Sequence, residues 1–219
     1  MTDAPPSLVI WDLDGTIADS AEGILVCLRA SLAAFGHPPE PESRLRGLIG
    51  PPLDESFGAL GFAGADLVAV VDDYRRRYDK VGVALARPYA GVPEAMAALA
   101  DAGVAQRVAT AKRVDFAVRM LDGFGLSRLL EAVEGASLDG RLTAKTEIVA
   151  AVLGDDRPER AWMVGDRRHD VVAALDLGLT PAGALWGYGG RAELESAGAT
   201  WLVERPGDLL VGLALPERG

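Results

Sequence analysis

The sequence predicts an α/β fold with a Rossmann-like parallel sheet at its centre and a helical region inserted after the first strand. Two observations predict this fold. Short apolar runs of strand length alternate along the chain with helical patterns, which is typical of a parallel sheet covered by helices on both faces. The alternation is interrupted over residues 18–85, where two long helical patterns follow one another without a strand between them.

The predicted strands and helices follow this alternation in order. Apolar runs predict strands over residues 8–11, 106–109, 161–164, 181–185 and 201–203. Helical periodicity predicts helices over residues 92–102, 114–124, 146–153, 170–177 and 192–197. Ligand sites in such sheets lie at the carboxyl ends of the strands, so polar residues directly after these runs are the candidates for chemistry.

The inserted region contains two long helical patterns, over residues 21–35 and 65–81. Between them, glycines and prolines separate shorter helical pieces. The chain leaves the region through Arg-Pro-Tyr-Ala-Gly at residues 87–91, which we interpret as a hinge. The predicted domains are therefore a core from residues 1–17 and 88–219 and a helical domain from residues 18–87.

The composition is that of a soluble globular enzyme, with 49% hydrophobic and 25% charged residues in 219. A formal net charge of -10 argues against general binding to nucleic acid or to an anionic membrane, because phosphate backbones attract basic surfaces. A small phosphorylated metabolite needs only a local cationic pocket, so it stays open as a partner. The sequence does not distinguish a monomer from a homodimer.

The single cysteine and the chain's first residues predict a reduced, cytoplasmic protein. Cys27 has no partner for an internal disulfide, and its apolar neighbours predict a buried helical residue rather than a nucleophile. The N-terminal residues lack a basic region followed by a signal-type apolar run. No apolar stretch reaches the length that spans a membrane.

The most informative motif is Asp12-Leu-Asp14-Gly-Thr16, directly after the first apolar run. Carboxylates at positions i and i+2 lie on the same side of an extended chain, and Gly15 lets the backbone turn sharply. The alternative is a pair of aspartates that form a turn or cap a helix. We favour a site for Mg²⁺-assisted phosphoryl transfer, which needs a carboxylate nucleophile, a second carboxyl group and oxygen ligands for the cation.

Two later segments contain groups that suit phosphate. Thr110 ends the second apolar run, where a hydroxyl and backbone N–H groups form a cradle, although by itself a helix N-cap explains it better. Lys112 either reaches the same pocket or is a solvated charge. Lys145 stands at a predicted helix start, where the dipole disfavours a cation. Two interpretations of Lys145 are equally supported: it lies between nucleophile and phosphate, or it lies on the surface.

A second pair of carboxylates follows the third apolar run. Asp166 comes directly after Gly165, and Asp170 lies one helical turn further on, so that both can face one site. The alternative is a solvated loop of mixed charge, but the repetition of the Asp12 arrangement makes it the weaker interpretation. His169 between them is interpreted as a neighbouring or surface residue, because the aspartates already fill the acid–base roles.

Together these segments resemble the four motifs of the haloacid dehalogenase (HAD) superfamily in the right order and over roughly the whole chain. The inserted domain is similar to the helical cap of the phosphoglycolate phosphatase-like branch. Ile49-Gly-Pro-Pro-Leu53, Gly165-Asp-Arg-Arg-His-Asp170 and Gly187-Tyr-Gly-Gly190 are similar to members of that branch known as phosphoglycolate phosphatases or 5′-nucleotidases. The fold that this implies is the HAD fold with an inserted cap.

The resemblance implies an activity and a role for each motif residue. Asp12 would be the nucleophile, forming an aspartyl-phosphate, and Asp14 the acid and then the base. Thr110 and Lys145 would bind the phosphoryl oxygens. Mg²⁺ would be held by Asp12, the main-chain carbonyl of Asp14 and Asp166, with Asp170 near it or bound through water. Substrate contacts are expected from Gly15, Thr16, Ala111 and Lys112 and, in the cap, from Arg46, Gly50 and Pro51.

Departures from the family pattern narrow the activity. Ala111 stands where motif two usually has a second polar residue, which removes one polar contact. Asp14 is present, whereas the dehalogenases of the superfamily lack it, so dehalogenation is disfavoured. Lys80, in a charged helix, is the only cap lysine, which disfavours phosphonate cleavage. The expected activity is a Mg²⁺-dependent phosphatase of a small phosphate monoester, with a phosphosugar mutase of the β-phosphoglucomutase type as the alternative.

Overall fold

The computed structural model describes residues 6–138, 141–156 and 160–211. The strands are β1 (Leu8–Trp11), β2 (Ala18–Asp19), β3 (Arg87–Pro88), β4 (Ala105–Arg113), β5 (Ala132–Ala136), β6 (Ala161–Gly165), β7 (Thr180–Ala184) and β8 (Trp201–Val203). Six of them form a sheet in the order β5-β4-β1-β6-β7-β8. Every neighbouring pair in this sheet is parallel, which confirms the predicted fold class.

The helices divide between the inserted region and the sheet. In chain order they are α1 (Ala21–Ala34), α2 (Glu42–Arg46), α3 (Leu53–Gly58), α4 (Gly64–Arg77), α5 (Val83–Leu85), α6 (Val92–Asp101), α7 (Val114–Gly123), α8 (Lys145–Leu153), α9 (Arg168–Asp176) and α10 (Arg191–Ser196). A π-helical turn, Tyr78–Gly82, joins α4 to α5. No described helix is both long enough and apolar enough to cross a membrane.

The central strand β1 is buried on both faces because its side chains alternate between two cores. Val9 and Trp11 pack into the core that α6 and α7 cover. Leu8 and Ile10 pack into the core that α8 and α9 cover. Burying a large apolar side chain stabilises a fold by roughly 1.5–3 kcal/mol, so this strand anchors the residues that follow it.

The crossover connections run in opposite directions on the two sides of β1. The chain pairs β1 with β4 on one side and with β6 on the other. In an open parallel sheet, such a reversal of strand order leaves a crevice at the carboxyl ends of the strands. The ends of β1, β4 and β6 therefore form one floor, and Asp12 and Asp166 directly follow two of these strands.

The inserted helices have a hydrophobic core of their own. Residues from α1, α3 and α4 form a buried cluster that includes Leu28, Phe57 and Val70. Phe116 of α7 belongs to the same cluster, so the cap core continues onto the sheet domain. The chain enters and leaves this region through the short antiparallel pair of β2 and β3. The predicted domain boundaries, between residues 17 and 18 and between residues 87 and 88, lie at this pair of strands and stay a prediction.

Most element bounds lie within two residues of the prediction, and two differences matter. β4 continues to Arg113, so Thr110 lies inside the strand rather than after it. A register irregularity against β5 between Thr110 and Arg113 marks this extension. The sequence analysis missed β5 altogether, because its residues are mostly half-buried at the sheet edge and form no continuous apolar run.

Candidate active site

A buried cation stands between two carboxylates at the floor of the crevice. Lys145 Nζ lies 2.5 Å from Asp12 Oδ1 and 2.7 Å from Asp170 Oδ1. The side chains of all three residues are at most 7% exposed. Lys145 is the first residue of α8, where the helix dipole disfavours a cation. The negative charges of Asp12 and Asp170 compensate this unfavourable effect.

Asp166 is held by bonds to both of its carboxylate oxygens. The Thr16 hydroxyl donates to Oδ1 at 3.1 Å. The backbone N–H groups of Tyr188 and Gly189 donate to Oδ2 at 2.7 Å and 3.3 Å. Gly15 approaches the same carboxylate so closely, with φ at +88°, that a Cβ there would lie 2.3 Å from Oδ2. The turn of the first motif therefore needs glycine for its φ angle and for space.

Burial and neighbouring charges shift the pKa values of these groups. Burial raises the pKa of Asp12 to about 7, against the opposing attraction of Lys145. Burial and the charges of Asp12 and Asp170 raise the pKa of Asp166 well above its usual range. Burial lowers the pKa of Lys145, but Asp12 and Asp170 outweigh this effect and hold it above its ordinary value. The site thus has an excess of carboxylates that one lysine does not neutralise.

This excess fits a divalent cation. One oxygen from each of Asp12, Asp166 and Asp170 lies within 4.8 Å of the others, and all three residues are buried. An all-oxygen donor set suits Mg²⁺. The desolvated carboxylates are the groups that a cation would stabilise most, so the residues fit the metal that the family implies.

Asp14 has a different environment from Asp12. Its Oδ1 accepts a bond from the Ser20 hydroxyl at 2.5 Å, and its Oδ2 lies 2.9 Å from Lys112 Nζ. Lys112 Nζ also lies 4.1 Å from the ring centroid of Tyr78, in the π-helical turn of the cap. Asp14 is therefore linked through Lys112 to the cap, which gives Lys112 a place beside the predicted acid–base residue.

Two cavities open from these carboxylates and share part of their lining. One is lined by Asp12, Lys145 and Asp170, and the other by Asp14, Lys112 and aromatic residues of the cap. Residues common to both are Gly50, Pro52, Ala111 and Thr143. We name residues 47–53 of the cap the roof loop, because Gly50 and Pro52 cover both cavities.

The remaining predicted site residues have distinct positions. Ala111 lines both cavities, and Pro51 lines the cavity of Asp14. Thr110 is buried, and its hydroxyl accepts a bond from the Lys112 amide at 3.2 Å. Arg46 pairs with Glu42 at 3.0 Å on the cap surface and lines a different cavity, together with β2 and α1 residues. The structure therefore does not bring Arg46 to the carboxylates.

Sequence reasoning missed four residues that contact the site carboxylates, among them Gly189, whose amide donates to Asp166. Ser20 binds Asp14, Tyr188 binds Asp166, and Arg167 donates its main-chain N–H to Asp170 Oδ2 at 3.0 Å. Tyr188 lies in the glycine-rich segment that carried part of the resemblance, so a signal for that loop existed. Nothing in residue type or spacing distinguishes Ser20 or Arg167 from ordinary polar neighbours of a motif.

The arrangement places two carboxylates two residues apart in different cavities. Asp12 lies beside a cation and other carboxylates, which suits a nucleophile for an electron-poor phosphorus. Asp14 lies beside a hydroxyl and a separate lysine, which suits proton transfer at a leaving group. The geometry thus separates a cavity at Asp12 from a cavity at Asp14.

Comparison with known proteins finds several relatives with similar sequences. A tyrosine-protein kinase PtkA of Mycobacterium tuberculosis is 38% identical over 200 residues, which cover 90% of this chain and 68% of the relative. A 5′-nucleotidase of Pseudomonas aeruginosa is 35% identical over 191 residues, 86% of each chain. Other matched relatives are named phosphoglycolate phosphatase.

A solved structure and a family profile agree with these relatives. The crystal structure of a predicted phosphatase from Clostridium acetobutylicum superimposes with a TM-score of 0.89 at 33% identity, covering 94% of this chain and 97% of that one. The profile of the haloacid dehalogenase-like hydrolases matches residues 9–184, which include all four predicted motifs. The chain therefore belongs to the haloacid dehalogenase-like hydrolase family, as a phosphoric monoester hydrolase.

Proposed function

We propose that the chain is a Mg²⁺-dependent phosphatase that hydrolyses a small phosphate monoester, of the phosphoglycolate or nucleotide type, through an aspartyl-phosphate. The observation that carries this proposal is the separation of Asp12 from Asp14. Asp12 contacts Lys145 in one cavity, and Asp14 contacts Lys112 in the adjoining one. A monoester lying across both cavities would present phosphorus to Asp12 and its leaving oxygen to Asp14.

The proposed reaction has two steps. In the first, an Asp12 carboxylate oxygen bonds to phosphorus, the ester P–O bond breaks, and Asp14 gives its proton to the leaving alkoxide. In the second, Asp14 takes a proton from water, whose oxygen bonds to phosphorus while the Asp12–phosphorus bond breaks. Lys145 balances charge on the phosphoryl oxygens in both steps. Thr110 and the backbone around Gly15, Thr16 and Ala111 are proposed to hold those oxygens.

Asp12, Asp166, the carbonyl of Asp14 and, directly or through water, Asp170 would hold Mg²⁺. The bound cation would polarise the phosphoryl group and neutralise its oxygens. Bonds from Thr16, Tyr188 and Gly189 fix the carboxylate of Asp166, which supports this role. Such supporting bonds typically matter for metal affinity about as much as the ligands themselves.

The leaving-group cavity supports a small anionic or aromatic group. Its lining combines the rings of Tyr74, Tyr78 and Phe116 with the cations Lys112 and Arg75. Arg75 Nε is buried and has no hydrogen-bond partner among the described residues. A carboxylate such as that of phosphoglycolate would pair with Arg75, whereas a nucleobase would stack on the rings.

The test is phosphate release from a panel that includes phosphoglycolate, 5′-nucleotides and sugar phosphates, each with Mg²⁺ and with EDTA. We expect release from one of these classes with Mg²⁺ and none with EDTA. The matched control is Asp12→Asn, which keeps the shape of the side chain and removes the nucleophile. Release that is equal in the control would contradict the proposal.

Two other activities are distinguished by product. A mutase would convert a sugar phosphate to its isomer without net phosphate release and would need a bisphosphate activator. Similarity to proteins named tyrosine-protein kinase, at 38% identity, makes phosphoryl transfer to tyrosine the second candidate. Adding ATP with a tyrosine-containing peptide to the panel tests it, because transfer would label the peptide instead of releasing phosphate.

A further inference from the structure

Arg167, the residue after Asp166, reaches from the sheet domain to the cap. We infer that Arg167 is a positioning residue that fastens the roof loop over the catalytic carboxylates. Its side chain is 11% exposed, although it carries a charge. A charged side chain at that depth needs partners for its N–H groups, and here the partners belong to both domains.

On the cap side, the partners are main-chain carbonyls of the roof loop. Arg167 Nη1 donates to the carbonyl of Ile49, and Nη2 lies 3.5 Å from the carbonyl of Gly47. Bonds to carbonyls depend on the path of the backbone and not on the side chains of the loop. Arg167 therefore specifies where the loop lies, whichever residues the loop presents to a substrate.

On the core side, Arg167 is held at two points. Its Nε donates to Glu193 Oε1 at 2.9 Å, and Glu193 accepts a second bond from the Arg168 amide at 2.9 Å. The main-chain N–H of Arg167 donates to Asp170 Oδ2. One residue thus binds a catalytic-site carboxylate through its backbone and the roof through its side chain.

The fork geometry leaves Arg167 little capacity for a ligand. Nε, Nη1 and Nη2 each face a protein acceptor, so the protein engages three of the five N–H groups of the guanidinium, which lines the cavity of Asp12. A lysine would not substitute, since a single ammonium does not span Glu193 and the roof carbonyls together. This is why we assign Arg167 to positioning and not to phosphate binding.

Gly50 in the roof loop fits against the same side chain. A Cβ at Gly50 would lie 2.9 Å from Arg167 Cγ, and the φ angle there is +106°. Gly50 is one of the substrate contacts expected in the cap. In the structure the close neighbour is Arg167, so the glycine also serves the joint between roof and core.

A weaker pair lies beside this joint. Arg168 Nη2 is 3.1 Å from Glu55 Oε1, and both side chains are about half exposed. An exposed pair of this kind contributes little. The buried bonds of Arg167 are therefore the ones expected to decide whether the roof stays over the site.

The test is hydrogen exchange of the roof-loop amides in the full chain without ligand. In Arg167→Ala we expect these amides to exchange about tenfold faster than in the wild type, because local opening loses its main restraint. Arg167→Lys should lie close to Arg167→Ala, and Glu193→Gln should lie between it and the wild type. The matched control is Arg191→Ala on the same helix as Glu193, whose pairs are exposed and do not reach the roof.

Equal exchange of the roof amides in Arg167→Ala and Arg191→Ala would overturn the inference, as would an equal acceleration in β1 and β6, which would indicate global destabilisation. If Arg167→Ala does not fold, Glu193→Gln decides by the same two criteria. Steady-state hydrolysis of p-nitrophenyl phosphate adds a second readout: KM should rise several-fold more than kcat falls. This readout rests on the proposed function. The substrate panel tests that function, and exchange decides the role of Arg167 whatever the panel shows.

Discussion

The floor of the site and the roof loop hold their residues by different means. On the floor, Asp166 accepts one hydroxyl and two amide bonds, and Lys145 lies between two carboxylates. The roof loop covers the same cavities with apolar residues, and its buried polar bonds to the core come from Arg167. A floor fixed by many bonds can serve any phosphate monoester. A roof with few bonds is the part that can change with the leaving group.

The sheet domain and the cap are also coupled at an aromatic cluster. The ring centroids of Phe116, in the sheet domain, and Tyr78, in the cap, are 5.5 Å apart. Lys112 Nζ lies over the Tyr78 ring. Lys112 pairs with Asp14, so a change of the cap reaches Asp14, the proposed acid–base residue, through one cation. The comparison therefore predicts large effects for floor residues and smaller, graded effects for residues that join floor and roof.

The largest effect is expected for the nucleophile. Asp12→Asn should lower phosphate release by at least about a thousandfold, because the amide does not form the covalent intermediate. The fold should persist, since the substitution relieves a desolvated carboxylate. Phosphate release measures the activity, and thermal unfolding followed by circular dichroism shows whether the fold persists. A variant that retains activity would show that the floor does not supply the nucleophile.

The second largest effect is expected when Lys145, the cation at the floor of the site, is replaced. Lys145→Met should lower kcat by about a hundredfold to a thousandfold, because charge on the phosphoryl oxygens is no longer balanced. It should also destabilise the protein by roughly 3–5 kcal/mol, since Asp12 and Asp170 lose their buried partner. Kinetics and urea unfolding measure both effects. Lys80→Met, at an exposed cap position, is the control and should change neither.

Metal binding should stabilise the floor in a pH-dependent way. The raised pKa of Asp12, about 7, means that the metal-free native state binds protons more tightly than the unfolded chain. The contribution of Asp12 to the free energy of unfolding therefore falls as pH rises from about 4 through 7. Mg²⁺ takes over this neutralisation, so its stabilisation should be larger at pH 8 than at pH 5.5, reaching about 2.7 kcal/mol at a hundred times Kd.

The measurement is the melting temperature with MgCl₂ and with EDTA at both pH values. Asp166→Asn is the control, because it removes one predicted ligand and should abolish most of the shift. A Mg²⁺ effect of equal size at both pH values would argue that the cation acts elsewhere than on these carboxylates.

The smallest effect is expected for Lys112, which links Asp14 to the cap. Lys112→Met should lower kcat/KM by about tenfold, which corresponds to about 1.4 kcal/mol, because Asp14 loses its ion pair while keeping the Ser20 bond. Kinetics on the best substrate of the panel measure it, with Lys80→Met again as the control. If the two lysine variants behave alike, Lys112 has no part in the reaction.

Sequence reasoning reached the sheet and the motif residues because both leave local signals. Apolar runs identified five of the strands, and the carboxylates that follow β1 and β6 stand where the fold class places a ligand site. Edge strand β5 has no such run, and the extension of β4 past Thr110 depends on pairing with β5. Arg46 was selected by its place near a glycine- and proline-rich loop, but its partner is Glu42, four residues earlier.

The sequence by itself determined the fold class and the order of the motifs, because these follow from periodicity and from residue types at fixed spacing, and its motifs carried the resemblance to the family. Only the tertiary structure decided which groups touch. Ser20 at Asp14, Tyr188 at Asp166 and Arg167 at the roof loop are contacts made by chain folding. The last two join segments more than 20 residues apart, and spacing along a chain carries no information about such distances.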